Sequence, residues 1–128
     1  TRSAGTNWCS DNLSGYIWND INSSASNNIK SIFDPSPWGF RLPEKEAWSN
    51  FPTSTMTWTT NRWVYTALGA RFYSDGYRTS SNGDVSDVGG RGLFWTSTSY
   101  NYWRMLNPDV SLVNSAGAYG QCCRPVRE

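Results

Sequence analysis

Most of the apolar material in this 128-residue chain sits in aromatic rings: eight Trp, seven Tyr and five Phe, with only 38% hydrophobic residues overall. A fold built from it must bury large flat rings rather than layers of Leu, Ile and Val. Each ring brings much area, and Trp and Tyr keep a polar edge that tolerates partial exposure. Part of the set is therefore expected at the surface among Ser, Asn and Gly, as in antibody-like binding loops. The competing reading makes all of it core and turn filler. The length suits one domain that buries about two-thirds of its unfolded surface. Residues 1–128 read as a single domain, with 1–14 as a linker or N-terminal arm.

A net charge of +1, with arginines scattered along the chain, offers no basic face for nucleic acid. No stretch of about 18 apolar residues occurs, so no membrane insertion is expected. Histidine is absent, the seven Asp are dispersed, and three Cys at these spacings match no zinc pattern, so neither metal nor cofactor is expected. Cys9 bridged to Cys122 or Cys123 would close a loop of more than about 100 residues and contribute about 4–5 kcal/mol in an oxidising compartment. Three reduced, buried cysteines are the other reading.

Along the chain, Gly15–Trp18 reads as a short strand and Ser24–Phe33 as weakly helical. The run Asp34-Pro35-Ser36-Pro37 stops any helix. A short helix follows. Pro43 suits its first turn, Glu44 and Glu46 favour its N-terminal end, Ala47, Trp48 and Phe51 give it an apolar face, and Pro52 ends it. From Met56 the pattern is β: Met56–Leu68, Ala70–Tyr73, Leu93–Ser97, Tyr102–Leu106, Val110–Val113 and Gln121–Val126. Asp75–Gly92 reads as a long surface loop. Turns at Asn107-Pro108-Asp109 and Asn114–Gly117 favour antiparallel pairing. In Tyr102–Leu106, alternation sends Trp103 and Met105 inward and Tyr102, Arg104 and Leu106 outward. The fold class is α+β, with one or two short helices and a twisted, mainly antiparallel set of short strands.

Three separated stretches carry a resemblance: Asp34–Pro43 with Glu44–Trp48, then Phe94-Trp95-Thr96-Ser97-Thr98, then Gly120–Arg127. In this order they resemble the Fibrobacter-succinogenes-type major paralogous domain of Bacteroidetes surface proteins, a branch of the C-type-lectin-like fold. Gly69–Tyr73 and Asp75-Gly76 look like the family's intervening strand and turn, and the likeness spans roughly residues 15–128. Ser36 and Pro125 stand where many members carry a disulfide pair. The resemblance makes Trp38, Arg41, Trp48, Trp95 and Arg124 structural. It implies a non-catalytic ligand-binding or adhesion domain, extracellular on a bacterial surface or carried on a virion such as a phage particle.

Some relatives are targets of diversity-generating retroelements, which vary surface residues near the C-terminus. By that likeness the ligand surface comprises Tyr100, Asn101, Tyr102, Arg104, Asn107, Asp109, Ser111, Asn114 and Tyr119. Tyr supplies rigid contact area, and Asn, Ser and Asp adapt their hydrogen bonds. The expected partner is a glycan or protein on a cell surface. The alternative is a structural subunit of a pilus, surface layer or virion, its aromatic face meeting neighbouring subunits.

Enzyme readings are weaker. Arg41–Trp48 also resembles a signature of formylglycine-generating enzymes, but Cys122 and Cys123 lie in the closing strand rather than before it. Without His, a Ser-His or Cys-His nucleophile is excluded. Trp18-Asn19-Asp20 resembles a calcium and sugar motif of vertebrate C-type lectins, yet it lies near the wrong end of the chain.

Overall fold

The computed structural model describes residues 30–31, 34–49, 51, 53–79, 81–98, 101–114 and 120–127. Within them the strands are β1 (Phe40–Arg41), β2 (Met56–Thr59), β3 (Arg62–Tyr65), β4 (Ala70–Tyr73), β5 (Tyr77–Arg78), β6 (Val85–Ser86), β7 (Arg91–Trp95), β8 (Asn101–Leu106), β9 (Val110–Asn114) and β10 (Val126–Arg127). One α-helix, α1 (Lys45–Ser49), and a 3-10 turn at Thr53–Thr55 complete the set. Two antiparallel three-stranded sheets, β2-β3-β4 and β7-β8-β9, carry most of the structure. β5 pairs with β6, and β1 pairs with β10. The protein is a sheet-rich fold of short, mostly antiparallel strands.

Local chemistry explains the turns. The stretch Met56–Leu68 is not one strand but a hairpin followed by a turn. Asn61 adopts a φ of 61°, the left-handed region that Asn tolerates better than most residues, and splits β2 from β3. Asp75–Gly92 is not a plain loop either, because it contains the β5–β6 hairpin. Its tip is held by Arg78 donating to the Gly83 carbonyl at 3.0 Å and by Asn82 Oδ1 accepting from the Asp84 amide at 3.1 Å. Asp87 and Arg91 close its far side with a 3.3 Å ion pair.

The core lies between the two large sheets and α1, and it is aromatic, as the composition requires. Trp48 meets Phe51, Phe72, Phe94 and Trp103 with ring centroids 5.4–6.3 Å apart. Phe72 stands edge-on to Phe51 and Phe94. Met56, Trp63 and Met105 are buried in the same cluster. Fully burying each such side chain stabilises by about 1.5–3 kcal/mol. Trp48 is thus the helix's contribution to the core, with partly buried Phe51 just beyond its end packed against the cluster, whereas Ala47 is exposed.

The three motif stretches meet pairwise. β1 pairs with β10, setting Phe40 opposite Arg127 and Arg41 opposite Val126. Phe94 forms a parallel bridge with Cys122, whose amide donates to Leu93 O at 3.0 Å and whose carbonyl accepts from Trp95 N at 3.0 Å. The Ser97 amide donates to Pro43 O at 2.8 Å, joining the second stretch to the first. The strand expected over Gln121–Val126 is therefore reduced to this bridge at Cys122 and the two residues of β10.

The proline-rich turn is braced from both sides. Buried Asp34 accepts from the amides of Ser36 at 2.8 Å and Leu42 at 2.9 Å. Lys30 Nζ donates to the carbonyls of Ser36, Pro37 and Phe40 at 2.6–2.9 Å.

Of the residues assigned structural roles, Trp48 and Trp95 are buried. Arg41 pairs with Glu44 at 3.1 Å. Arg124 stacks its guanidinium 4.0 Å from the Phe72 ring and donates to Arg71 O at 2.7 Å. Trp38 corrects the expectation, because it is 97% exposed and anchors nothing. It occupies a turn closed by Phe40 N donating to Pro37 O, where Gly39 takes a φ of 78° and the chain aims the indole outward. The arm 1–14, the strand Gly15–Trp18, the motif Trp18–Asp20, Cys9, the helix Ser24–Phe33 beyond its last described residues, Pro52 and most of the turn Asn114–Gly117 lie outside the described residues.

Candidate functional site

Strand β8 alternates as its sequence predicts. Trp103 and Met105 are 4% and 1% exposed, whereas Tyr102, Arg104 and Leu106 are half-buried on the opposite face. Register then determines which residues share that outer face. Tyr102 lies between Trp95 and Val113, and Arg104 between Leu93 and Ser111. Leu93 and Trp95 are buried, so apart from Arg91 at the start of β7 the accessible part of the face belongs to β8 and β9.

A polar network occupies its centre. Arg104 Nη2 donates to Asp109 Oδ2 and, at 3.0 Å, to Ser111 Oγ, and Ser111 Oγ donates to Asp109 Oδ2 at 3.1 Å. The β8–β9 turn delivers Asp109 to this position, with Leu106 N donating to Asp109 O at 2.8 Å. An exposed ion pair contributes only about 0–1 kcal/mol to stability, so its main consequence is positional. It fixes the guanidinium, while Arg104 Nε has no partner among the described residues. Beside it, Tyr102 packs edge-on against Trp95 at 6.5 Å, which steadies the phenol ring.

Of the residues expected to form the ligand surface, Tyr102, Arg104, Asp109 and Ser111 come together here. Asn101 and Asn114 do not. They are register partners at the far end of β8–β9, on the side that carries Trp103 and Leu112. A two-residue periodicity separates them from Tyr102 however close they are in sequence. Asn107 is exposed in the connecting turn. Tyr100 and Tyr119 lie outside the described residues. Val113 was missed, although it shares the outer face with Tyr102. Placing the β8–β9 turn at Asn107–Asp109 and counting back along both strands would have found it.

Of the described cysteines, Cys122 lies beside Phe94 of β7. Cys122 is half-buried and Cys123 exposed. Burial raises both thiols above their ordinary range, with the Asp75 charge adding for Cys122 and neighbouring Cys122 and Asp34 for Cys123. The expected bridge requires Cys9 and so falls outside the described residues. Among the described residues no three Cys, Asp or Glu side chains cluster to hold a metal ion. Nor is any described helix long and apolar enough to cross a membrane. Compared with family models, curated proteins and solved structures, the chain finds no match.

Proposed function

We propose that this chain is a non-catalytic ligand-binding or adhesion domain of C-type-lectin-like fold. Its recognition surface is the β8–β9 outer face. The observation that carries the reading is the Arg104–Asp109–Ser111 network fixed beside the half-buried Tyr102. The network holds donors and acceptors in one place, so little side-chain freedom is lost on binding. The Tyr ring supplies a rigid apolar platform for a sugar face or a protein side chain. The meeting of the three motif stretches supports kinship with the Fibrobacter-succinogenes-type domains. That kinship in turn suggests extracellular display on a bacterial surface or phage particle, and retroelement diversification of the C-terminal strands.

The test is binding of the purified domain to a glycan array and to surface proteins of candidate host cells. A variant with Tyr100, Tyr102, Arg104 and Tyr119 changed to Ala runs beside it, checked for native near-UV circular dichroism. Specific binding that disappears in the folded variant is the expected result. Binding that the variant retains would remove this face from the account.

A structural-subunit reading has one observation in its favour. Trp38 is 97%, Leu68 80% and Val88 69% exposed, three apolar side chains that contact with a neighbouring subunit would cover. Concentration-dependent self-association in analytical ultracentrifugation, lost in Trp38→Ser, would favour that reading over adhesion.

A further inference from the structure

The second large sheet presents a different chemistry on its outer face. Met56, Trp58, Trp63, Tyr65, Ala70 and Phe72 belong to the core side of β2-β3-β4. Alternation therefore leaves Thr57, Thr59, Arg62, Val64, Arg71 and Tyr73 facing outward. Arg62 lies directly across from Tyr73, and Val64 across from Arg71, so the two arginines flank a single phenol. The Arg62 guanidinium carbon sits 5.7 Å from the Tyr73 ring centroid. The Tyr73 phenol is held below the ordinary tyrosine range, chiefly by a hydrogen bond from Arg71, with the Arg62 charge adding to the effect.

No carboxylate neutralises this pair among the described residues. The arginines that form ion pairs there are Arg41, Arg91 and Arg104. Arg62 Nε is buried without a partner, whereas Arg71 is exposed and Tyr73 is 44% exposed. Two guanidiniums flanking one phenol leave like charges uncompensated, and an anion bridging them would neutralise both. Guanidinium forks match the paired oxygens of a sulfate or carboxylate.

We propose that the outer face of β2–β4 binds an acidic glycan through a sulfate or carboxylate group held by Arg62 and Arg71, with Tyr73 between them. The rest of the face favours a sugar over other anionic polymers. Thr57 and Thr59 offer exposed hydroxyls one strand from Arg62, and the exposed phenol ring gives a pyranose a flat surface. A nucleic acid would need a longer basic stripe than two arginines on a chain of net charge +1. The site is separate from the β8–β9 face and does not depend on it.

The test is titration of the whole domain by calorimetry with a heparin-derived hexasaccharide, with maltohexaose and with a hexaglutamate peptide. The hexasaccharide should bind with an affinity that falls as salt rises, maltohexaose should not bind, and the peptide should bind more weakly than the hexasaccharide. Arg71→Gln, at an exposed position, should weaken binding about tenfold while leaving near-UV circular dichroism unchanged. Arg71→Lys should recover part of the loss, since it restores the charge without the fork. Absence of hexasaccharide binding, undiminished binding by a folded Arg71→Gln, or tighter binding of the peptide would each overturn the proposal.

Discussion

Thr98 Oγ1 accepts a hydrogen bond from the backbone amide of Lys45 at 3.2 Å, joining residues 53 positions apart. The hydroxyl satisfies an amide at the start of α1 that has no partner within the helix. Beside it the Ser97 amide reaches the Pro43 carbonyl, so the Arg-Leu-Pro step and the Phe-Trp-Thr-Ser-Thr step form one joint. That joint presses Trp48 onto Trp103, with centroids 5.4 Å apart and planes 14° apart.

The joint depends on Thr96, which is fully buried and donates its hydroxyl to the carbonyls of Thr98 at 3.1 Å and Asn101 at 2.9 Å. Thr96→Val keeps the shape and removes the donor. It should cost about 0.5–1.5 kcal/mol of stability, the net worth of an ordinary hydrogen bond, because both carbonyls keep a backbone donor: Thr96 N for Asn101 O and Asn101 N for Thr98 O. Urea denaturation would measure it, and a loss below about 0.5 kcal/mol would mean the hydroxyl is not needed.

Trp48 and Trp38 should separate sharply in the same assay. Trp48→Ala empties the centre of the aromatic cluster and should cost about 3–5 kcal/mol. Trp38→Ala removes an exposed ring and should fall within about 0.5 kcal/mol of the parent. Comparable losses at the two positions would contradict the burial assigned to them.

Gly76 has a φ of 73°, and a Cβ there would lie 2.2 Å from the Ser86 carbonyl oxygen. Neither backbone can give without opening the β5–β6 hairpin. Gly76→Ala should therefore destabilise by more than about 1 kcal/mol and raise amide exchange at Arg78 and Thr79. Gly83→Ala meets strain alone, with nothing within 4 Å of its Cβ, and should cost less.

Stability should fall at alkaline pH through the cysteines. Burial raises both thiols above their ordinary value of 9.0, so the folded chain holds those protons more tightly than the unfolded one. Their contribution is therefore complete below pH 9.0 and declines as pH rises through the raised folded values. Tyr73, lowered from its ordinary 10.0, acts in the opposite direction and is common to parent and variant. Under reducing conditions, the urea midpoint should drop more steeply above pH 9.0 in the parent than in Cys122→Ser/Cys123→Ser. Parallel curves would contradict the assigned shifts.

Side-chain direction was legible wherever strict alternation ran for several residues, as Trp103 and Met105 illustrate. Trp48 was legible as a core anchor because a short acidic-led helix has one apolar side to bury. Asn101 and Asn114 fell on the wrong face because nearness in sequence stood in for the two-residue alternation, which puts Asn101 with Trp103 and Asn114 with Leu112. The β5–β6 hairpin escaped notice because its strands are two residues long and its tip is tied by polar side chains, leaving no apolar period. Trp38 misled because its structural role rested on the resemblance alone, while the turn around Gly39 decides where the ring points.

On the proposed function, the β8–β9 outer face does the binding. The most direct test is the dissociation constant for the best array ligand, measured on the parent, Tyr102→Ala and Arg104→Gln. Losing the Arg104 donors or the Tyr102 ring should each weaken binding at least about tenfold while the proteins stay folded. Constants unchanged in both variants would place recognition elsewhere on the molecule and contradict the account.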